Sequence, residues 1–250
     1  MPFALDEYRH WKPLPPIMDW LTNRVIKPLD RVLDVGCGCA PFPRADVSID
    51  RYARENLEKL WDDCKVEHRP KKLVQHDFSH APMPFKEKEF YFVYCRHTLE
   101  DMLDPFLLMG DMQRVGKAGY IETPSPFSEL SRGIDGFKNS YLWRGYYHHR
   151  FFVWVRDGEL CFVSKYPIVE HFDYMDNEKT LEDLLRKRPE LWNTYFLWTD
   201  EIRWKHLEDP FDFKVYQDYQ TLLWQAAVDS AKSTDALCHR ILDDVGQQAA

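Results

Sequence analysis

Short apolar runs alternate with polar segments over residues 30–126. The runs have the length and composition of buried strands and occupy residues 31–35, 46–49, 72–75, 90–95 and 119–122. Two stretches between them, 54–64 and 106–115, place apolar side chains at helical spacing. Strands that alternate with helices are typical of a parallel sheet covered by helices. The pattern therefore predicts an α/β core with a mostly parallel sheet.

The segment before this core predicts a small cap. Residues 1–29 contain a proline-interrupted lead and one amphipathic stretch, 17–26, with the spacing of a helix that packs on a core. No apolar run approaches the roughly 18 residues that a membrane helix needs, and the first residues lack the features of a secretion signal. We expect a soluble, cytoplasmic protein.

The segment after residue 126 has a different character. Two β-rich runs, 149–155 and 160–165, flank an Asp-Gly pair, which is the strongest short-range hairpin signal. A second possible strand pair spans 195–198 and 202–206, and helices are predicted at 178–188 and 217–245. The predicted division is a cap at 1–29, a core at 30–126, a β-hairpin and helical lid at 127–214, and a C-terminal helix and tail at 215–250.

The most informative motif is a glycine turn after the first predicted strand. The run Val32-Leu33-Asp34-Val35-Gly36-Cys37-Gly38-Cys39 ends a strand in Gly-x-Gly, which permits a sharp turn and a close approach of a ligand to the backbone. Asp50 ends the next strand and is expected beside this turn, within reach of a ribose diol. The motif indicates a nucleoside pocket, although a plain tight turn would give the same Gly-x-Gly.

These residues resemble the class I S-adenosylmethionine-dependent methyltransferases. The run VLDVGCG is similar to the family's first motif, and Asp50 matches the acid that binds the ribose hydroxyls there. Gln75-His76-Asp77-Phe78 resembles the segment after the third strand, where an acid and the next backbone N–H meet the adenine. Residues 90–105 are similar to the fourth strand and the helix after it. The resemblance covers residues 30–126, about two-fifths of the chain.

The resemblance implies a Rossmann-like fold, S-adenosyl-L-methionine as the cofactor and a set of residues that bind it. Residues 95–97 would close the methionine end of the donor. The implied cofactor-binding residues are Asp34, Gly36, Cys37, Gly38, Asp50, Arg51, Asp77, Phe78, Cys95, Arg96 and His97.

The loop after the glycine turn departs from the family pattern. Only residues 37–45 separate the turn from the second strand, and they contain two prolines, each of which costs about 3 kcal/mol inside a helix. The crossover is therefore expected to be a loop, shorter than the roughly 10–12 residues of a usual βαβ connection. A pyrophosphate cofactor needs a helix N-terminus here, whereas S-adenosylmethionine carries no phosphate. NAD is thus a minor alternative.

The composition narrows the classes of ligand and partner that the chain is expected to bind. The chain has 250 residues, 41 acidic against 33 basic, and a formal net charge of -8, which argues against a nucleic-acid binder with a basic face. The six cysteines contain no C-x-x-C pair and are expected to be reduced thiols, and no metal site is expected. A small-molecule or saccharide acceptor is favoured, with the oligomeric state open.

Two segments offer catalytic side chains. His97 and Glu122 follow the fourth and fifth predicted strands, at the sheet edge where open α/β sheets bind ligands. His148 and His149 lie among Trp143, Tyr146 and Tyr147; if they belong to a strand, they point to opposite faces and cannot easily share a metal. Each of these four is a candidate base or hydrogen-bonding partner for an acceptor hydroxyl. Each also has a purely structural alternative, as a capping or buried, satisfied group.

The predicted function is O-methylation of a small molecule or saccharide by an S-adenosylmethionine-dependent methyltransferase. The shortened loop after the glycine turn leaves a rival: a binding or scaffold protein that has kept the fold and lost turnover. A protein or RNA methyltransferase is a third possibility, but the sequence displays no basic surface for it.

Overall fold

The computed structural model describes residues 13–53, 56, 70–135, 138–172, 178–207 and 215–246. Contacts divide the described chain into two compact units. The sheet unit comprises residues 25–122 and 196–202, and the hairpin unit comprises residues 13–24, 123–195 and 203–246. No helix among the described residues has the length and hydrophobicity to cross a membrane.

The sheet unit is built on a six-stranded sheet. In chain order its strands are β1 (Val32–Val35), β2 (Val47–Asp50), β3 (Leu73–Gln75), β4 (Phe90–Arg96), β5 (Gly116–Pro124) and β8 (Asn193–Thr199). They are arranged β3-β2-β1-β4-β5-β8, and the pairs from β3 through β5 are parallel. This order confirms the Rossmann-like prediction. The strand order changes direction between β1 and β4, and open α/β sheets of this kind bind ligands at such a switch point.

The strands at the centre of this sheet are apolar because both of their faces are covered. All four residues of β1 and all four of β2 are buried. Helix α2 (Pro105–Val115) connects β4 to β5 and begins at Asp104, whose carboxylate accepts the N–H groups of Phe106 and Leu107. Its Leu108, Met112 and Val115 are buried, as the spacing predicts, but Leu107, which the same spacing places with them, is 66% exposed.

The hairpin unit contains the remaining strands. β6 (Phe151–Arg156) and β7 (Glu159–Ser164) form an antiparallel hairpin, which confirms the Asp-Gly prediction. Asp157 and Gly158 have φ values of 51° and 74°, the left-handed conformation that this tight turn requires. A third strand, β9 (Trp204–His206), pairs with β7 in parallel.

Helices and short turns complete the hairpin unit. The helices are α1 (Pro15–Trp20), α3 (Pro126–Leu130), α4 (Glu178–Lys187) and α5 (Val215–Gly246), and a π-helical turn, Leu21–Val25, follows α1. Short 3₁₀ turns span Ser140–Leu142, Pro167–His171 and Pro189–Trp192 in this unit, and a further 3₁₀ turn, Leu99–Asp101, belongs to the sheet unit. A buried core includes Phe152 and Trp154 of β6 with Leu223 and Ala227 of α5. The helix at 178–188 and the long C-terminal helix are confirmed, the latter as a single helix.

Three predictions are wrong. The segments 195–198 and 202–206 do not pair as strands, because β8 joins the six-stranded sheet while β9 joins the hairpin. His148 and His149 lie in a turn before β6, not in a strand, so the argument about opposite strand faces does not apply. Cys39 is disulfide-bonded and is therefore not a reduced thiol. The predicted helix at 54–64 lies, except for Asn56, outside the described residues.

Candidate functional site

The glycine turn lies at the carboxyl end of β1. Gly36 and Gly38 have φ values of 69° and 48°, a region that other L-residues rarely adopt. A Cβ atom on Gly36 would lie 2.2 Å from Oγ1 of Thr98, so glycine is required there by both conformation and space. A Cβ on Gly38 would meet nothing within 4 Å. The backbone of Gly38 is therefore open to close approach by a ligand.

The loop after the turn takes the place of a crossover helix. No helix forms between β1 and β2, as the two prolines predict. Instead, Phe42 folds back over the sheet: its ring stacks on that of Tyr94 with centroids 4.3 Å apart, and its N–H donates to Oδ2 of Asp34 at 2.8 Å. The loop is thus anchored by an aromatic stack and a buried hydrogen bond.

Asp50 connects the second strand to the glycine turn. Its Oδ2 accepts the N–H of Gly38 and its Oδ1 accepts the N–H of Tyr52, each at 2.9 Å. A carboxylate has about four lone-pair positions, so two acceptor positions remain beyond these bonds. An acid held in this way, beside an open glycine, has the chemistry to bind a vicinal diol.

Asp34 lies beneath the turn and is 2% exposed. Burial raises the pKa of its carboxyl to about 7, against the lowering effect of the Phe42 N–H, and the charge of Asp50 raises it further. The side chain therefore changes its charge near neutral pH.

This shift predicts a specific pH dependence. A carboxyl whose pKa is higher in the folded than in the unfolded state makes folding less favourable as the pH rises from about 4 to 7. Asp34→Asn should remove this pH-dependent loss of stability. Relative to the wild type, the variant should gain at least about 1.4 kcal/mol in free energy of unfolding between pH 4.5 and 8, the equivalent of one pKa unit. Urea denaturation at the two pH values measures it, with Asp157→Asn in the hairpin turn as the control.

Asp77, Phe78 and Arg51 lie after β3 and β2. The Nε of Arg51 is 3.3 Å from Oδ2 of Asp77, and the N–H of Ser79 donates to Oδ1 of Asp77 at 3.0 Å. Burial raises the pKa of Asp77, but the hydrogen bonds from Ser79 and His80 and the charge of Arg51 together outweigh it and lower the pKa below its usual value. The structure thus brings Arg51 and Asp77 together near the end of the strand that carries Asp50.

A buried ion pair joins the carboxyl ends of β4 and β5. The Nε of Arg96 donates to Oε1 of Glu122 at 2.8 Å, and the hydroxyl of Tyr120 donates to Oε2 at 2.5 Å. Burial would raise the pKa of Glu122, but the Arg96 guanidinium outweighs this and, with His97 and Tyr120, lowers it to about 2. Cys95, one residue before Arg96, is buried, and burial raises the pKa of its thiol.

His97 adopts a rare backbone conformation at this sheet edge. Its φ is 49°, and its N–H donates to the carbonyl of Glu122 at 2.8 Å. The ring lies between two carboxylates, with Nε2 3.7 Å from Oε1 of Glu122 and Nδ1 3.8 Å from Oε1 of Glu100. Glu100 lies in the 3₁₀ turn Leu99–Asp101, and its side chain is buried.

The other two candidate histidines belong to the hairpin unit. The Nδ1 of His149 lies 2.6 Å from Oε1 of Glu129, whose Oε2 accepts from Nζ of Lys165 at 2.5 Å. The charges of Lys165 and His149 outweigh burial and lower the pKa of Glu129 to about 2. Burial lowers the pKa of His148 to about 4, with a further contribution from the charge of His149.

Glu129 and Lys165 were not predicted from the sequence. The two residues are 36 positions apart, and neither belongs to a motif. Lys165 also donates to the carbonyls of Arg144 and Tyr146 and so fixes the turn that carries the histidines. Burial of the Glu129–His149 pair corresponds to the structural alternative for this histidine, a buried and satisfied side chain.

No family model matches the chain, and no curated protein matches it. Solved structures are similar to part of it. An S-adenosylmethionine-dependent methyltransferase from Mesorhizobium loti is 16% identical with a TM-score of 0.34, over 46% of this chain and 58% of that one. A SAM-dependent methyltransferase from Archaeoglobus fulgidus is 21% identical with a TM-score of 0.33, over 45% and 53%. The [4+2]-cyclase SpnF is 21% identical with a TM-score of 0.34, over 44% and 45%.

The matches span roughly half the length of these three proteins. Two of the three are methyltransferases of the kind that the sequence resembles. Because the likenesses are partial and the identities low, the fold assignment depends on the strand order and parallel register of the chain's own sheet.

Proposed function

We propose that the chain binds S-adenosylmethionine at the glycine turn and transfers its methyl group to a hydroxyl of a small molecule or saccharide. The observation that carries the proposal is the arrangement of Gly38 and Asp50. An open glycine and an acid with two remaining acceptor positions lie together at the switch point of a Rossmann-like sheet.

The residues at this edge fit the donor. Asp50 would accept from the ribose hydroxyls, Asp77 and the backbone of Phe78 would meet the adenine, and residues 95–97 would lie along the methionine part. The turn and its neighbours Asp34, Cys37 and Arg51 would complete the pocket. No helix follows the turn, so the site lacks the N-terminus that a pyrophosphate would use, and a phosphate-free donor suits it better.

The donor, when bound, supplies an electrophilic methyl group, and the task of the chain is to align it and to accept a proton from the acceptor. His97, His148 and His149 are the proposed bases. Glu122 is 1% exposed and bonded to Arg96 and Tyr120, so we assign it a positioning role through Arg96 and His97. A cytoplasmic location and a non-nucleic-acid acceptor belong to the same proposal.

Asp50→Asn tests the donor site. The variant loses the charge and one carboxylate acceptor, and we expect at least a ten-fold weaker affinity for S-adenosylmethionine, equivalent to about 1.4 kcal/mol. Asp46→Asn is the matched control, because Asp46 begins the same strand region and bonds to Lys71 and the N–H of Val32. Calorimetric titration of both variants gives the affinities, and thermal melting checks that both fold.

An equal loss of affinity for S-adenosylmethionine in the two variants would contradict the assignment of Asp50.

The packing of Phe42 favours a second candidate function, a binding protein without turnover, because this side chain and its loop occupy the place of a crossover helix. That candidate predicts no methyl transfer from labelled S-adenosylmethionine to any hydroxyl compound in a screen of small molecules and saccharides.

A further inference from the structure

A disulfide lies next to the proposed donor site. Cys39 directly follows Gly38 in the loop at residues 37–45, and its sulfur is disulfide-bonded. The residue is partly exposed, so small thiols in solution have access to this part of the loop. Exposed disulfides are more easily reduced than buried ones, and they are more often regulatory. This bond therefore combines a position beside the glycine turn with access for a reductant.

The partner of Cys39 follows by elimination. The chain has six cysteines. Free thiols belong to Cys37, Cys95, Cys161 and Cys238. The remaining cysteine is Cys64, which lies outside the described residues. A bond between Cys39 and Cys64, which we call the turn disulfide, would close a loop of about 26 residues.

The free thiols are poorly suited to rearrange this bond. Thiol–disulfide exchange requires a thiolate that attacks a disulfide sulfur. Burial raises the pKa of Cys37, two residues from Cys39, and it also raises the pKa values of Cys95, Cys161 and Cys238. These thiols therefore stay protonated near neutral pH, and the reductant must come from solution.

Two hydrogen bonds flank Cys39 in its loop. On one side, the N–H of Gly38 donates to Oδ2 of Asp50 at 2.9 Å, and on the other, the N–H of Phe42 donates to Oδ2 of Asp34 at 2.8 Å. No helix forms between β1 and β2, so the loop lacks helical hydrogen bonds that would fix its course. A covalent bond between these two anchors therefore restricts the positions that Gly38 can take relative to Asp50.

We propose, on the basis of the proposed function, that the turn disulfide joins Cys39 to Cys64 and is a redox-sensitive switch for donor binding. In the oxidised chain, the bond holds Gly38 beside Asp50, where the donor ribose would bind. Reduction frees the loop, and the affinity for the donor falls. A cytoplasmic location belongs to the proposed function, and disulfides in that compartment are rare and usually catalytic or redox-sensing.

The switching step is a two-electron exchange with a thiol such as glutathione. A glutathione thiolate attacks one sulfur of the turn disulfide, the S–S bond breaks, and a mixed disulfide forms. A second glutathione thiolate then attacks the mixed disulfide and releases the protein sulfur. Both cysteines end as thiols after each sulfur takes up a proton, and the two glutathione molecules leave as oxidised glutathione. Excess oxidised glutathione reverses the step.

Peptide mapping tests the linkage. Trypsin cleavage without reductant should give the peptides 32–44 and 60–65 as a disulfide-linked pair that separates on reduction. Fragment ions should place the bond on Cys39 and not on Cys37. Six free thiols in the oxidised chain, a bond to another cysteine, or a bond between two copies of the chain would overturn the proposal.

Equilibrium dialysis with S-adenosylhomocysteine tests the effect on the donor site. In about 5 mM reduced glutathione, we expect the affinity of the wild type to fall about ten-fold, as it does when one turn in ten is ordered for binding. Reoxidation should restore it. The variant Cys39→Ser, Cys64→Ser should bind as weakly as the reduced wild type and should not respond to glutathione. Cys161→Ala removes a free thiol of the hairpin unit and should respond like the wild type.

Hydrogen exchange separates the switch from the proposed function. The amides of Gly38 and Phe42 should exchange faster in the reduced wild type, with or without a ligand. A turn disulfide that glutathione does not open, or exchange and affinity that reduction leaves unchanged, would overturn the proposal. If reduction accelerates exchange but the oxidised chain binds neither S-adenosylmethionine nor S-adenosylhomocysteine, the proposed function fails, and the assignment of the switch to donor binding fails with it.

Discussion

Lys165→Met is expected to lower the free energy of unfolding by about 3–5 kcal/mol, because it leaves the buried carboxylate of Glu129 with one cationic partner fewer. Lys165 and Glu129 side chains are 7% and 1% exposed, so water does not replace the lost ion pair. The substitution also removes the donor to the carbonyls of Arg144 and Tyr146. Urea denaturation at pH 7 measures the effect.

Lys232→Met is the matched control. Lys232 is 72% exposed and lies 3.9 Å from Asp229, so its loss should change stability by less than about 0.5 kcal/mol. In the variant Lys165→Met, Glu129→Gln, the combined loss should be smaller than the sum of the single losses, because no unpaired charge stays buried. Equal effects of Lys165→Met and Lys232→Met would show that the buried pair does not stabilise the fold.

The loss in Lys165→Met should also depend on pH. The pKa of Glu129 is lowered to about 2, below its unfolded value of about 4.3. A carboxyl with a lowered folded pKa stabilises the fold above the unfolded pKa and loses that contribution as the pH falls through the folded pKa. The difference between wild type and variant should therefore be complete above about pH 4.3 and decline toward pH 2.

Gly36→Ala should destabilise the sheet unit by about 2–5 kcal/mol and abolish donor binding. An alanine at a φ of 69° costs roughly 1–2 kcal/mol, and the overlap with Thr98 adds about 1–3 kcal/mol. Relief of this overlap requires displacement of the segment that carries His97. Thermal and urea unfolding measure the stability, and calorimetry with S-adenosylhomocysteine measures the binding.

Gly38→Ala separates the two causes. Gly38 also has a positive φ, but nothing lies within 4 Å of its Cβ position, so only the conformational cost of about 1–2 kcal/mol should appear. Thr98→Ala in the Gly36→Ala background should recover part of the stability. A Gly36→Ala variant as stable as Gly38→Ala would contradict the overlap.

The sequence predicted the order of strands β1 to β5 because each of them is a local apolar run that ends in a turn signal. β1, β2 and β4 lie within two residues of the predicted bounds, and the Asp-Gly pair located the hairpin. The loop at residues 37–45 was predictable as well, because proline excludes a helix by its own covalent geometry. These features depend on neighbouring residues alone.

The position of β8 in the sheet was not predictable in the same way. Its residues 195–198 have the composition of a strand, but a strand pattern does not say which edge the strand joins. The close approach of Trp198 to Gly116 and Gly119 accounts for its place beside β5: ideal Cβ atoms on these glycines would lie 3.2 Å and 2.7 Å from the indole ring. Complementary packing of this kind depends on residues about 80 positions apart.

In the candidate site, the sequence predicted the motif residues but not the residues that contact and position them. Asp50 and Gly38 could be paired from motif order, whereas Glu100 and Thr98 become significant only where β4 ends beside the glycine turn. Glu129 was not predicted for a related reason: its partners come from turns and strands that are distant in the sequence. A buried acid between two basic side chains produces no periodic pattern along the chain.

The proposed donor site depends most directly on the identity of the ligand at the glycine turn. Calorimetric titration of the wild-type chain with S-adenosylhomocysteine, with NAD as the comparison, tests it without knowledge of the acceptor. We predict one S-adenosylhomocysteine per chain with micromolar affinity, and no measurable heat with NAD. Binding of NAD in preference to S-adenosylhomocysteine, or of neither ligand, would contradict the donor site.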